Sequence, residues 1–170
     1  MKSRIISGML LLGASAMAHA EPYMGLQVGS LDYDLPNFDN ATSIEVLGGY
    51  RINENLGFEV NYVDFGESED GIPPVWTLSG DTVGVAARFI APLSDQVELY
   101  GRLGLHSWSV DLKEDGFGTL GKDDGTDTFY GVGVNFNLTP SIALGAGYTV
   151  FNMDQEDATI LGAMLQVSFP

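Results

Sequence analysis

The sequence predicts an all-β protein, an eight-stranded antiparallel up-and-down transmembrane β-barrel. Three observations lead to this fold class. Apolar residues alternate with small or polar ones in segments of about ten residues, the length of a tilted strand that crosses a bilayer. There are eight such segments, and short connections between them alternate with longer polar ones. Glycine supplies 22 of the 170 residues, which suits closely packed strands. The sequence has no cysteine, which excludes disulfides and thiolate chemistry.

The first twenty residues predict export. Lys2 and Arg4 precede an apolar run that ends in small residues at Ala20, as in a secretory signal peptide. We expect cleavage after Ala20, which leaves residues 21–170 as one barrel domain. No later segment contains the roughly 18–20 consecutive apolar residues that a transmembrane helix needs.

Eight strands follow the signal peptide in order. Their predicted ranges are 23–32, 43–53, 56–66, 80–91, 96–110, 127–138, 141–151 and 159–169. Short turns are predicted at 53–55, 92–95 and 138–140, and longer polar loops at 33–42, 67–79, 112–126 and 152–158. Up-and-down order places the short turns on one rim together with both mature termini, and the loops on the other rim. We expect the rim with the termini to be periplasmic.

The alternation separates two faces of the sheet, and charge indicates which face lies inside. In 56–66, Phe58 and Val60 share one face, whereas Glu59 and Asn61 share the other. A soluble barrel would turn the apolar face inward. Here the charged strand residues share a face with many glycines, which fits a narrow lumen better than an outer surface. The predicted luminal charge network consists of Glu45, Arg51, Glu59, Arg88, Glu98 and Arg102.

Aromatic residues on the opposite face predict two girdles at the lipid interfaces. One set lies near the short turns and the other farther along the strands. The predicted interface aromatics are Tyr50, Phe58, Tyr62, Phe89, Tyr130, Phe136, Tyr148 and Phe169.

The charge balance limits the partners. The formal net charge is −16, and loss of Lys2 and Arg4 leaves five of the seven basic residues, which argues against nucleic acid. Acidic residues concentrate in 64–70 and 111–127, but their spacing matches no calcium motif, so we predict no metal site and no cofactor. The expected partners are outer-membrane lipids and lipopolysaccharide, with divalent cations as a bridge to the acidic loops. We expect a monomer.

Three functions remain open. The preferred one is a structural or surface-interaction barrel, because eight strands enclose a lumen that side chains fill. The alternative is a narrow, porin-like channel for ions or small solutes through the Arg/Glu-lined lumen. A lipid-modifying outer-membrane enzyme is weaker, since His106, the only histidine after Ala20, points away from the face that carries Ser107 and Ser109. We therefore predict no catalytic residues.

Three stretches resemble the transmembrane domain of the outer membrane protein A family. They are GGYRINENLGFEVNYVDFG (48–66), ARFIAPLSDQVELYGRLGLHSW (87–108) and NFNLTPSIALGAGY (135–148). The resemblance implies an eight-stranded barrel in a Gram-negative outer membrane. It also implies that the barrel assembly machinery reads a terminal aromatic residue, here Phe169, although Pro170 follows it.

The resemblance also shows where the chain departs from the family. A luminal salt-bridge gate in the family uses an acid and a base that Glu59 and Arg88 match. Asn135 and Gly145 stand where the gate's second pair of charges would be. We therefore expect a different network, which includes Arg51, and a chain without the peptidoglycan-binding domain that larger relatives append.

Overall fold

In a computed structural model the chain forms a closed barrel of eight antiparallel strands, which confirms the predicted fold class. The structure describes residues 21–33, 39–69, 76–114, 118–154 and 157–169, so the predicted signal peptide lies outside the described residues. Each strand pairs with its neighbours in sequence, and β1 pairs with β8 to close the cylinder. The strands are β1 Glu21–Tyr33, β2 Ala41–Asn53, β3 Leu56–Glu69, β4 Trp76–Pro92, β5 Val97–Glu114, β6 Gly118–Thr139, β7 Ile142–Phe151 and β8 Ala158–Ser168.

Burial alternates along the strands as the side chains point alternately to the lumen and to the outside. In β3, Phe58 and Val60 are 52% and 56% exposed, whereas Glu59 and Asn61 are buried. The apolar face is therefore the outer surface of the barrel, and the small and polar face encloses the lumen. Within the described ranges, no helix has the length and hydrophobicity needed to cross a bilayer.

Short turns join β2 to β3, β4 to β5 and β6 to β7 on one rim, here called the short-turn rim. Side-chain oxygens close these turns: Asn53 Oδ1 accepts from the Asn55 N–H at 2.9 Å, and Thr139 Oγ1 accepts from the Ile142 N–H at 3.0 Å. The start of β1 and the end of β8 also lie on this rim, where the Phe169 N–H donates to the Pro22 carbonyl at 2.8 Å. The opposite rim is called the loop rim.

The strands on one side of the loop rim are longer than the sequence predicted. β5 continues to Glu114 and β6 begins at Gly118, so most of the predicted loop at 112–126 is a β-hairpin, and that prediction was wrong. The pairing runs from Trp108 opposite Gly125 to Glu114 opposite Gly118. Pairing with a neighbouring strand overrides the low strand propensity of this polar, glycine-rich segment.

Candidate functional site

The centre of the lumen holds a buried ion pair between β4 and β3. Arg88 Nη1 lies 2.6 Å from Glu59 Oε1, and both side chains are almost fully buried. The Tyr23 hydroxyl donates to the same carboxylate oxygen at 2.9 Å. The Arg88 guanidinium lies over the Tyr100 ring, 3.9 Å from its centroid. The cation is thus enclosed by one carboxylate and an aromatic face, both of which stabilise its charge away from water.

A second ion pair joins β5 to β2 across the lumen. Arg102 forms a fork with Glu45, with Nη1 to Oε1 at 2.7 Å and Nη2 to Oε2 at 2.9 Å. Thr149 Oγ1 accepts from Nη2 at 2.9 Å, and Asn61 Nδ2 donates to Glu45 Oε1 at 2.8 Å. Arg102 Nη1 also lies 3.8 Å from Glu59 Oε2. This last contact links the two ion pairs into one network.

A third ion pair lies nearer the short-turn rim. Arg51 Nη2 is 2.7 Å from Glu98 Oε2, and the Arg51 side chain is 29% exposed. Asn135 Nδ2 donates to Glu98 Oε1 at 3.1 Å and to Gln166 Oε1 at 3.3 Å. The six predicted luminal residues therefore form three arginine–glutamate pairs. Asn135 contributes an amide at a position where the family's salt-bridge gate would have a charge.

Towards the loop rim the lumen becomes apolar. Phe129 and Phe151 stack with ring centroids 5.1 Å apart, and Phe65 meets Phe151 edge-on at 5.7 Å. We call the cluster of buried residues around these rings the apolar plug. Its members are Leu31, Tyr33, Ala41, Val63, Phe65, Leu78, Ala86, Phe129, Phe151, Ala158 and Ile160.

The apolar plug was not predicted from the sequence, although β3 carries a signal for it. On its luminal face, Glu59 and Asn61 are followed by Val63 and Phe65, both 0% exposed. Near the loop rim the period-2 alternation therefore reverses: apolar residues face the lumen, and the outward positions carry polar residues such as Asp64 and Asp81, which lie opposite each other on β3 and β4.

His106 lies beside the apolar plug with both ring nitrogens engaged. Its Nε2–H donates to the Asn152 carbonyl at 2.9 Å, and Nδ1 lies 2.9 Å from Thr82 Oγ1. Ser107 and Ser109 point to the opposite face of β5. Among the described residues no serine side chain hydrogen-bonds to the imidazole, so the serine–histidine hydrogen bond of a serine hydrolase is not formed.

The outer surface carries the aromatic residues that the sequence assigned to the interfaces. All eight are 44–55% exposed. Trp76, at the loop-rim start of β4, is 39% exposed but has the strand parity of the lumen-facing Leu78 and Thr82, so it does not belong to this outward set. Many large apolar side chains surround these aromatics, and a soluble monomer rarely exposes so large an apolar area.

Acidic residues border the loop rim. The best defined contact there is between Asp111 and Lys122, whose charged atoms lie 3.9 Å apart on exposed side chains. Asp70 and Asp115 lie outside the described residues. Within the part of the chain that the structure describes, no three histidine or acidic residues are grouped as a metal site would require.

Comparison with known proteins places these features in a family. The sequence-family model described as outer membrane protein beta-barrel domain matches residues 5–169. Outer membrane protein A of Salmonella typhi is 28% identical over 180 aligned positions, which cover 95% of this chain and 51% of that protein. Outer membrane protein A of Yersinia pseudotuberculosis is 30% identical over 162 positions, which cover 86% and 44%. The chain spans about half the length of these relatives.

Solved structures show the same fold at lower identity. Neisserial surface protein A superimposes with a TM-score of 0.67 at 19% identity, covering 88% of this chain and 97% of that one. The Ail protein of Yersinia pestis superimposes with a TM-score of 0.61 at 18% identity and the same coverage.

Proposed function

Because this chain belongs to the family of outer membrane protein β-barrel domains, we propose that it is a structural or surface-interaction protein whose lumen is closed by its own side chains. Membership in the family places it in the outer membrane. The observation that carries the proposal is the filling of the lumen, with three ion pairs in the centre and towards the short-turn rim and the apolar plug towards the loop rim.

The physical argument is that neither part of the lumen favours a passing ion. The interior of an eight-stranded barrel is just wide enough for side chains to fill. In the polar part, each arginine is already paired with a carboxylate. In the apolar plug, an ion would lose its hydration without gaining polar partners, which costs many kcal/mol.

Planar-bilayer recording distinguishes the closed barrel from the alternative of a narrow channel. The closed barrel gives no stable, discrete openings in the wild-type protein. A channel through the Arg/Glu-lined lumen would give such openings, and Arg88→Ala would abolish them. Lys113→Ala is the matched control, because it removes a positive charge from an exposed position outside the lumen.

We also propose that the barrel has no catalytic site. Support comes from His106, which is buried in the lumen with its two ring nitrogens on Thr82 and Asn152. Incubation with radiolabelled lipopolysaccharide should release no fatty acid. Release that depends on His106 would contradict this proposal without affecting the closed lumen.

The proposed orientation places the short-turn rim and both mature termini in the periplasm. It is supported by the long strands and acidic residues at the opposite rim, since outer-membrane barrels have short periplasmic turns and longer extracellular loops. A protease site appended after Pro170 should resist cleavage in intact cells and be cleaved once the outer membrane is permeabilised.

The proposed partners are outer-membrane lipids, which contact the outward aromatics, and lipopolysaccharide phosphates, which divalent cations bridge to the acidic loop rim. We further propose that the barrel assembly machinery reads Phe169 and that the barrel is a monomer. Calcium titration of the purified barrel tests the cation bridge: a rise in thermal stability supports it, and an unchanged melting temperature contradicts it. Phe169→Ala should lower the amount of barrel in outer-membrane fractions.

A further inference from the structure

Within the described parts of the chain, one edge of β6 has no partner over its first ten residues. β6 pairs with β5 along its length, from Phe136 opposite Val97 to Gly118 opposite Glu114. Its pairing with β7 begins only at Phe129. Among the described residues, none hydrogen-bonds to residues 118–127 on the side away from β5. We call this segment the free β6 edge; at about 3.4 Å per residue it is roughly 34 Å long.

The hydrogen bonds next to the free β6 edge show which of its groups are available. The Asn152 N–H donates to the Thr128 carbonyl at 3.1 Å, so the polar backbone groups of Thr128 point away from β5. In an antiparallel strand every second residue points the same way. Thr126, Asp124 and Lys122 therefore direct their N–H and C=O groups to the free side. Of these groups, the Asp124 N–H donates only to the neighbouring Asp123 carboxylate, at 3.1 Å.

The free β6 edge lies beyond the hydrocarbon layer. The outward face of β6 is apolar at Val132 and Tyr130 and becomes polar from Thr128 through Asp124 to Lys122. Unpaired backbone groups are too costly to place in lipid, so an open edge of this length belongs in water. With the orientation proposed above, on which this inference rests, the free β6 edge faces the outside of the cell.

We propose that the free β6 edge binds an extended, basic segment of another protein as an additional antiparallel strand. In such strand addition, main-chain hydrogen bonds provide the affinity and side chains provide the specificity. Here Lys122, Asp124 and Thr126 direct the main-chain groups to the free side. Asp123 and Asp124 are exposed on this edge, whereas Asp127 accepts a hydrogen bond from Trp108 Nε1 at 3.0 Å. Lys122, the one basic residue in 118–127, already lies 3.9 Å from Asp111, so the edge carries an acidic surplus. Lysine or arginine side chains on the incoming strand would complement this surplus.

The same charges argue against a second copy of this chain as the occupant. Two β6 edges in antiparallel pairing would bring both acidic surpluses together, and like charges directly opposite each other destabilise a strand pair. The whole chain adds a net charge of −16 to this repulsion. A basic partner is therefore the occupant that the charges favour.

The test uses the full barrel in zwitterionic detergent micelles and a labelled ten-residue peptide of alternating lysine and valine. Fluorescence anisotropy measures binding. Thr126→Pro removes one N–H from the free side, whereas Thr126→Val keeps it and serves as the matched control. We expect at least tenfold weaker binding for Thr126→Pro, which corresponds to about 1.4 kcal/mol, and a change of less than twofold for Thr126→Val.

A second peptide separates strand addition from simple charge attraction. It has the same net charge but carries two central prolines, which cannot donate to a strand ladder. Equal binding of the two peptides would overturn the proposal, and so would equal affinity of the two Thr126 variants for the first peptide. Dimers that form without peptide and are lost in Thr126→Pro would also overturn it, because a second copy would then occupy the edge. Heat-modifiable gel mobility verifies that each variant is folded. Conductance does not depend on this edge, so failure here leaves the closed lumen intact.

Discussion

The central ion pair predicts that removal of the acid is more costly than removal of the base. Glu59→Gln leaves the buried Arg88 guanidinium without its carboxylate at 2.6 Å. Arg88→Met leaves Glu59 with the Tyr23 hydroxyl at 2.9 Å and with Arg102 at 3.8 Å. The surviving carboxylate therefore keeps a hydrogen bond and a nearby cation, whereas the surviving guanidinium keeps aromatic neighbours and a neutral amide oxygen, but no counter-charge.

The magnitudes follow from the burial of the pair. Stranding a buried charge costs about 3–5 kcal/mol, which we expect for Glu59→Gln because the Arg88 side chain is only 1% exposed. The Tyr100 ring already contacts Arg88 in the wild-type protein and cannot offset the loss. For Arg88→Met we expect about 1–3 kcal/mol, the range for loss of a charged hydrogen bond. The double variant should lie within about 1 kcal/mol of the wild type, since neither charge is then stranded.

Urea unfolding in lipid vesicles, followed by tryptophan fluorescence and by gel mobility, measures these free energies. The four proteins form a double-mutant cycle, so the coupling energy of the pair is obtained directly. The reasoning would be refuted if Arg88→Met cost as much as Glu59→Gln, or if the double variant were as unstable as the sum of the single ones. Either result would mean that the stranding of a buried charge does not determine the cost of these substitutions.

Three further predictions concern packing and sidedness. Gly49→Ala should destabilise the barrel in urea because the new Cβ would lie 2.5 Å from a backbone oxygen, whereas Gly48→Ala, with nothing within 4 Å, should be neutral; equal effects would contradict this packing. Phe151→Ala should cost about 3–5 kcal/mol in the same assay by leaving a cavity in the apolar plug, and a cost below about 1 kcal/mol would mean that the plug is loosely packed. Spin labels at Val60 should be relaxed by lipid-dissolved oxygen and labels at Glu59 should not; the reverse pattern would mean that the barrel is inside-out.

The fold could be predicted because strand alternation is read locally. In β7, for example, Ile142, Leu144 and Tyr148 alternate with Ala143 and small or polar residues, and the structure places the first group outside. Each such pattern determines which side chains of one strand point outward. The even number of strands, joined by short connections, then indicates the antiparallel up-and-down order.

The loop-rim end of β6 could not be predicted in the same way. Residues 121–127 read GKDDGTD, which contains turn formers and no apolar alternation. They form a strand because they pair with β5, whose own residues at these positions are more typical of a strand. Pairing is a relation between two segments, so the composition of one segment does not reveal it.

The partners within the lumen were also beyond the sequence. Alternation indicated that Arg102 and Glu45 face the same enclosed space, but not that they would meet, since 57 residues separate them. Their contact depends on the stagger of β2 against β5 around the cylinder, which is set by the sum of all intervening registers.

Two of the three ion pairs, Arg102–Glu45 and Arg51–Glu98, join β2 to β5. These strands belong to different hairpins and are not neighbours in the sheet. During insertion, a flat or half-curled intermediate therefore gains nothing from either contact, and its four charges remain hydrated. Their contribution arises only when the sheet curls far enough to bring opposite walls together, which makes the last stage of assembly cooperative and disfavours partly rolled forms.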